Sequence, residues 1–151
     1  MHKFLEAARD AIKNREYDDK VSYRLAALLV RGGKIVSIGY NSSTTNSFVE
    51  HYTDSVLGSG RGYLISTHAE MSAVLQVRSK IDLTGSKIYV ARLKADDSFG
   101  LAKPCIICRK ILYSYGIKRA IYSIEENNYG VLKIVEPETT FNDRDGKSCR
   151  Y

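Results

Sequence analysis

The sequence lacks tryptophan, and its 151 residues include only two prolines, two methionines and three cysteines. It also lacks a long hydrophobic segment: the longest apolar run, Leu25 to Val30, is far shorter than the roughly 20 residues that a membrane-spanning helix needs. The first 13 residues are amphipathic and include Glu6 and Asp10, unlike a signal peptide or a mitochondrial targeting peptide. We therefore expect a cytoplasmic protein with no membrane association.

The few cysteines are patterned in a way that excludes a disulfide framework. Cys105 and Cys108 are only three positions apart, and Cys149 has no obvious partner in the sequence. Thiols at this spacing are better explained as metal ligands in a reducing compartment. This agrees with a cytoplasmic location.

The overall composition is that of a globular protein, with 44% apolar and 26% charged residues, and the length suits one domain. The formal net charge of +6 favours anionic partners through long-range attraction. This charge does not distinguish a nucleotide from a nucleic acid, and it is also compatible with a merely soluble basic protein.

Apolar periodicity and turn residues predict an α/β domain over residues 1–136 and a polar tail over 137–151. A hairpin followed by alternating helices and strands indicates parallel strands with crossover helices. We expect a three-layer α/β/α domain with a mixed five-stranded sheet. The predicted helices are 2–16, 67–80 and 104–113, and the predicted strands are 23–30, 35–40, 87–91, 119–124 and 131–135.

The segment 41–64 is unusually long for a connection and is rich in Asn, Ser, Thr and Gly. Long loops in compact domains are often functional. We expect some short structure within it, and a flexible end at Gly58–Gly62 that folds over a ligand or is simply a mobile excursion. At its end, Ser66 or Thr67 is the predicted cap of the next helix.

Two short motifs contain the residues with the most specific chemistry. His68 and Glu70 stand at the predicted start of one helix, and Cys105 and Cys108 follow Pro104 at the predicted start of another. Two cysteines three positions apart lie on one helix face and can bind one ion together with a histidine. Helix N-termini favour negatively charged thiolates. The sequence therefore predicts a zinc site made by His68, Cys105 and Cys108.

Three protein ligands leave the fourth zinc position open, as in catalytic sites. Glu70 is placed to transfer protons as a general acid and base. A closed structural site, with Cys149, His51 or His2 as a fourth ligand, is the alternative, but it leaves Glu70 unexplained. An H-x-E motif at one helix start, with P-C-x-x-C at the next, is the signature of zinc-dependent nucleobase deaminases.

With these motifs, the sequence resembles the zinc-dependent cytidine and deoxycytidylate deaminase superfamily, most closely the deoxycytidylate (dCMP) deaminases. The resemblance extends over roughly residues 4–135. It includes the Gly-Tyr-Asn sequence at 39–41, which ends the hairpin, and the Gly-Ile-Lys-Arg sequence at 116–119. It implies a cytidine-deaminase-like fold, a Zn²⁺ cofactor and hydrolase activity. Relatives commonly form dimers, tetramers or hexamers, so a homo-oligomer is expected.

The resemblance also implies a role for each matched residue. Asn41 would bind the substrate near its sugar, and the backbone N–H of Ala69 would bind the carbonyl of the base. Glu70 would protonate the ring nitrogen, assist attack at C4 and help ammonia leave. Tyr122 stands where relatives often have an aromatic residue near the base or sugar. A half-buried strand tyrosine is the alternative for Tyr122.

The sequence departs from the dCMP deaminase pattern at several positions. Arg24 to Ala27 stand where the family often has a Gly-Ala pair, and the loop 93–103 is longer and charged. His68 is typical of the nucleotide, guanine and nucleic-acid branches, whereas small free-cytidine deaminases usually have Cys there. The two-residue gap between Cys105 and Cys108 argues against riboflavin-pathway deaminases. The exact substrate and any control by deoxynucleoside triphosphates stay open.

The favoured function is hydrolysis of dCMP to dUMP and ammonia. A phosphate pocket would then need cations, and the candidates are Arg24, Arg61 and Lys103, with Arg61 favoured because its glycine-rich surroundings expose backbone N–H groups. For each of these, a solvated surface residue is the alternative. A deaminase of cytosine or adenine in RNA or single-stranded DNA is the second hypothesis, and a non-catalytic zinc-binding structural module is the third.

Overall fold

The computed structural model describes residues 1–17, 20–57 and 66–136, and the predicted tail 137–151 lies outside the described residues. The predicted α/β class is confirmed. The helices are α1 (Lys3–Lys13), α2 (Ser47–Leu57), α3 (Ala69–Val77) and α4 (Ile106–Ser114). The strands are β1 (Arg24–Arg31), β2 (Lys34–Tyr40), β3 (Lys87–Leu93), β4 (Phe99–Gly100), β5 (Arg119–Glu125) and β6 (Asn128–Lys133).

The strands form one mixed sheet in the order β2-β1-β3-β5-β6, and the short strand β4 pairs with β3. The pair β3 and β5 is parallel, as the crossover through α4 requires. The expectation of parallel strands does not extend to β6, which runs antiparallel to β5. A tight turn explains this direction: only two residues separate these strands, and Asn127 in the turn has a φ of 60°.

Helices cover both faces of the sheet, which confirms the three layers. Alternate side chains of β1 point to opposite faces, so Leu25, Ala27 and Leu29 join one core cluster while Ala26 and Leu28 join the other. The first cluster packs against α3 and α4, and the second packs against α1. Strand β1 is buried on both faces because it lies inside the sheet. No helix of the described residues is long and apolar enough to span a bilayer.

Several predicted boundaries differ from the observed ones. The segment 41–64 contains an 11-residue helix, α2, in its described part, and the sixth strand, β4, interrupts the predicted loop 93–103. Strand β6 begins at Asn128, three residues before the predicted start. A two-residue strand has no periodicity to detect, and its pairing with β3 is a tertiary contact.

The predicted helix cap is wrong. The N-cap of α3 is His68, whereas Thr67 forms an isolated bridge with Ser42 and its hydroxyl donates to the carbonyl oxygen of Thr44 at 2.8 Å. In α4 the N-cap is Cys105, so Pro104 precedes the helix and does not occupy its first turn. Both helices therefore start at a predicted metal ligand.

The position of α3 depends on a close approach at Gly39 in β2. A Cβ atom at Gly39 would lie 2.2 Å from the backbone nitrogen of Ala73 and 2.3 Å from the carbonyl oxygen of Ala69. The hydroxyl of Ser37 donates to the carbonyl oxygen of Ala73 at 2.8 Å, and the side chain of Gln76 donates to the carbonyl oxygen of Ile38 at 2.8 Å. Backbone lies against backbone here, so neither element can yield as a flexible side chain would.

We expect Gly39→Ala to lower the free energy of unfolding by about 1–3 kcal/mol, the usual cost of adding a methyl group to a filled space. Thermal denaturation followed by circular dichroism measures this change. Gly100→Ala is the matched control, because the nearest atom to its added Cβ would be a lysine side-chain carbon at 3.4 Å. Equal melting temperatures for the two variants would contradict the close-approach explanation.

Candidate metal centre

The three predicted ligands meet at one buried point between α3 and α4. The Nδ1 atom of His68 lies 3.4 Å from the sulfur of Cys108 and 3.6 Å from the sulfur of Cys105. The ligand atoms of all three residues lie within 4.8 Å of one another. His68 and Cys105 are the N-caps of their helices, and Cys108 lies in the first turn of α4. The sequence prediction of these three residues as one cluster is confirmed.

This donor set fits a zinc ion. Zinc bonds of about 2.0–2.1 Å to nitrogen and about 2.3 Å to sulfur, at tetrahedral angles, imply a nitrogen–sulfur separation of about 3.5 Å. The two observed separations, 3.4 Å and 3.6 Å, lie on either side of that value. One imidazole and two sulfurs suit zinc better than magnesium or calcium, which prefer oxygen ligands.

The surroundings keep His68 in the form that binds metal. Burial lowers the pKa of its imidazole to about 4, so the ring stays neutral at physiological pH. The partial positive charge at the N-termini of α3 and α4 favours negatively charged sulfurs at the same point.

Among the described residues, no other group of three or more potential ligands comes together. His2 caps α1, where its ring nitrogen accepts from the backbone of Phe4, and its ring lies against Tyr89 on the α1 face of the sheet. His51 lies in α2 beside the ring of Tyr52. Cys149, the remaining candidate for a fourth ligand, lies outside the described residues. The described residues therefore form a three-ligand site, with one coordination position left for water or substrate.

Glu70 lies in the first turn of α3, two residues after His68, and only 4% of its surface is exposed. Burial raises the pKa of its carboxyl to about 7, and hydrogen bonds with backbone and with Cys108 oppose that shift. A zinc ion beside it would also oppose the shift, because a cation favours the charged carboxylate. Glu70 is therefore a buried group that can both accept and release a proton near neutral pH.

A small cavity lies over Glu70 and His68, and three of the predicted substrate-binding residues line it. Asn41, Ala69 and Lys103 line its wall together with the two motif residues. Its volume is about 10 Å³, close to the room that one water molecule needs. The cavity therefore has room for about one water molecule, and any larger ligand must enlarge it to enter.

Asn41 lines this cavity and also has a structural role. Its amide oxygen accepts from the backbone N–H of Leu25 at 2.9 Å, and its amide nitrogen donates to the carbonyl oxygen of Tyr23 at 2.6 Å. It thereby ties the end of β2 to the start of β1. One amide hydrogen and one lone pair remain for a ligand.

Of the other predicted substrate-binding residues, Arg24 and Tyr122 do not line this cavity. The guanidinium of Arg24 donates to a carboxylate oxygen of Asp97 at 2.7 Å and to the carbonyl oxygen of Lys94, which ties the loop after β3 to β1. Tyr122 lies on the α3/α4 face of β5, where its ring covers Gly130 of β6. Arg61 lies outside the described residues.

Sequence reasoning missed two apolar wall residues, Leu25 and Ala102. Leu25 pairs with Arg92 at the end of β3, and the backbone N–H of Ala102 donates to the carbonyl oxygen of Ser123 at 2.9 Å. Small and aliphatic residues are common in any core. Tertiary contacts alone, the strand register for Leu25 and the hydrogen bond to Ser123 for Ala102, place these two beside the metal ligands, so no signal in the sequence distinguishes them.

The comparisons with known proteins agree with this geometry. Residues 1–124 match the family model of the cytidine and deoxycytidylate deaminase zinc-binding region, and the chain therefore belongs to this family. No curated protein sequence matches the chain significantly. The family match, together with the fitting donor set, makes zinc the cofactor of the site.

Solved structures share the fold at low sequence identity. A cytidine deaminase from Burkholderia pseudomallei is 19% identical with a TM-score of 0.59, and the alignment covers 89% of this chain and 94% of that one. A dCMP deaminase from the cyanophage S-TIM5, in complex with dCMP and dUMP, is 20% identical with a TM-score of 0.50, covering 79% and 76%. This likeness concerns the fold, which is cytidine-deaminase-like.

We expect purified protein to retain about one zinc per chain after dialysis against a weak chelator. His68→Ala and Cys105→Ser should each lose most of that zinc, because two remaining ligands hold the ion poorly. Mass spectrometry of the metal content measures this. Cys149→Ser is the matched control and should keep its zinc, so loss of zinc in that variant would support the closed four-ligand site instead.

Proposed function

We propose that this chain, as a member of the cytidine and deoxycytidylate deaminase family, hydrolyses the exocyclic amine of dCMP to give dUMP and ammonia. The observation that carries the proposal is the buried carboxyl of Glu70, which shares a water-sized cavity with His68 of the metal cluster. A structural zinc site has no use for such a carboxyl. This argues against the third hypothesis, a non-catalytic zinc module.

The reaction adds water at C4 of cytosine and removes ammonia, so protons must move from the water to the base. His68, Cys105 and Cys108 would hold the zinc, which would supply a Lewis acid that makes water more acidic. Glu70 takes a proton from the attacking water and gives it to the ring nitrogen N3. It then carries the second proton to the amine, which leaves as ammonia. Burial raises the pKa of this carboxyl whereas zinc would lower it, and a carboxyl under these opposing influences can accept and donate a proton in one cycle.

The wall of the cavity would orient the base. Ala69 is the first residue of α3, so its backbone N–H has no helical acceptor and can donate to the base carbonyl at C2. Asn41 can use its remaining amide hydrogen on the sugar, and Lys103 brings a positive charge to the same wall. We retain Tyr122 and Arg24 as weaker candidates, since neither of them lines the cavity. Arg61 stays a candidate that lies outside the described residues.

A base in RNA or single-stranded DNA is the alternative substrate. Such enzymes need an extended cationic groove with aromatic platforms for successive bases. In the described residues, the half-buried cation Arg24 beside the site is paired with Asp97. In α4, Lys110 is paired with Glu136. These paired cations favour a nucleotide.

The substrate can be tested by incubating zinc-loaded protein with dCMP, CMP, deoxycytidine, dCTP and a cytosine-containing single-stranded oligonucleotide, with ammonia release as the readout. We expect dCMP to be turned over with the highest kcat/KM. Turnover of the oligonucleotide without turnover of dCMP would reverse our choice of substrate.

The role of Glu70 can be tested with Glu70→Gln, which keeps the size of the side chain and removes its ability to carry protons. We expect kcat to fall by about 10²–10⁴-fold, the usual contribution of a positioned acid–base group, while bound zinc stays at the wild-type level. Steady-state kinetics and metal analysis measure the two quantities. Full activity in this variant would refute the proposed mechanism.

We also infer that the chain assembles with copies of itself. The edge strand β6 carries exposed apolar side chains, including Val131 with 62% of its surface exposed and Tyr129 with 42%. Light scattering of the purified protein should give a mass that is a multiple of 17.0 kDa. We expect Val131→Glu to lower that mass and Ile35→Glu, on the opposite edge strand β2, to leave it unchanged; a monomeric wild type would contradict the inference.

A further inference from the structure

The face of the sheet that packs against α1 is open near the β6 edge. Helix α1 packs on β1 and β3. On the same face, Val131 and Tyr129 of β6 expose 62% and 42% of their surfaces, whereas Ile121 of β5, the partner of Val131, is buried. We call this part of β3, β5 and β6 the open face. It lies on the opposite side of the sheet from α3 and α4, which begin at the metal ligands.

Three cations form one row across the open face. Lys87 of β3 pairs with Arg119 of β5, and Arg119 pairs with Lys133 of β6. Side chains alternate along a strand, so Lys87 is on the same face as Tyr89, which belongs to the core cluster under α1. Residues paired across strands share a face, and neighbouring strands are about 5 Å apart. Three exposed positive side chains therefore extend from the open face side by side.

This row has no compensating negative charge in the sheet. Like charges directly opposite one another on neighbouring strands destabilise a sheet. The ion pairs among the described residues are made by other cations, namely Arg9, Arg24 and Lys110. Strands β3 and β6 contain no acidic residue, and Glu125 ends β5 at the end opposite to Arg119. An anionic partner would relieve the repulsion within the row.

The positive charge extends from the row to the start of α1. Burial lowers the pKa of the His2 imidazole, and the positive charges of Lys3 and Lys87 lower it further. The ring of His2 lies 4.7 Å from that of Tyr89, so α1 begins directly beside the row. A ligand on the open face therefore meets positive charge from both the strands and the helix.

Tyr129 adds an exposed aromatic ring to the same face. It is on the same strand as Lys133, with Val131 between them, and its ring lies 6.0 Å from that of His2. Proteins that bind single-stranded nucleic acid combine cations along the phosphates with aromatic rings on which bases stack. Some RNA-binding domains carry these rings on the open face of a sheet. The open face has both features.

We propose that the open face binds single-stranded nucleic acid, with Lys87, Arg119 and Lys133 on the phosphates and Tyr129 as a platform for one base. An acidic protein surface would match the cations, but it would leave the exposed ring without a stacking partner. The inference goes beyond the proposed function and does not rest on it. The bound strand is not the substrate, because the metal ligands are on the other side of the sheet.

The test measures the affinity of zinc-loaded protein for a short fluorescent oligouridylate by fluorescence anisotropy, over a range of salt concentrations. Uracil has no exocyclic amine, so the readout does not involve the deaminase reaction. The variant Lys87→Gln/Lys133→Gln removes the two ends of the row. The matched control, Lys13→Gln/Lys94→Gln, removes the same charge from exposed positions at the end of α1 and after the carboxyl end of β3.

We expect Lys87→Gln/Lys133→Gln to raise the Kd at least about tenfold, the usual effect of losing hydrogen bonds to charged groups. The slope of log Kd against log salt should fall by about 1.4, since each phosphate contact with a single strand contributes about 0.7. The control variant should keep the wild-type slope. Equal slopes for the two double variants would overturn the inference.

The aromatic platform is tested with Tyr129→Leu and Tyr129→Phe. We expect Tyr129→Leu to raise the Kd about tenfold without a change of slope, because stacking is lost and the phosphate contacts stay. Tyr129→Phe keeps a ring and should bind as the wild type does. Equal affinities of these two variants would contradict the role of Tyr129.

Two further results would overturn the choice of partner. One is binding of polyglutamate that depends on Lys87 and Lys133, without binding of oligouridylate, which would favour an acidic protein. The other is a lower mass of Lys87→Gln/Lys133→Gln in light scattering, which would assign the row to a contact between copies of the chain. Turnover of dCMP should be the same in this variant as in the wild type. Absence of that turnover in the wild type would refute the proposed function and leave this inference standing.

Discussion

The site depends on the meeting of two helix N-termini at one buried point. His68 caps α3 and Cys105 caps α4, so the same residues end the preceding loops and supply the metal ligands. Backbone N–H groups at both helix starts favour negative charge there. The close approach to Gly39 of β2 positions α3 at this point. The crossover from β3 to β5 positions α4 there.

Two cavities of different size therefore lie on either side of Asn41. On one side lies a tight chamber in which the carboxyl of Glu70 is removed from bulk water, and on the other a wider cavity lined with hydroxyl groups. Burial raises the pKa of the Glu70 carboxyl to about 7, whereas the wider cavity is lined largely by polar side chains. Asn41 joins these regions because its amide also ties the start of β1 to the end of β2.

The predictions from sequence were accurate where the pattern is long and periodic. All three predicted helices and all five predicted strands exist, and apolar residues located them because each element packs apolar side chains against the core. The predictions were wrong where a tertiary contact determines the local structure. The N-cap of α3 is His68 and not Ser66 or Thr67, because Thr67 is held by Ser42 and Thr44. Strand β4 was not predicted because it exists only through its pairing with β3.

The sequence by itself determined the metal site: the types and spacing of His68, Cys105 and Cys108 were enough to predict the zinc ligands, and Glu70 beside them is the predicted proton carrier. A metal site of this kind needs specific side chains at short spacings, and such spacings are visible in a linear chain. The tertiary structure alone decided what surrounds the site, because residues 20–22, 41–43 and 66 are distant in sequence. Sheet register and a single β-bridge bring them together, and neither leaves a pattern in the sequence.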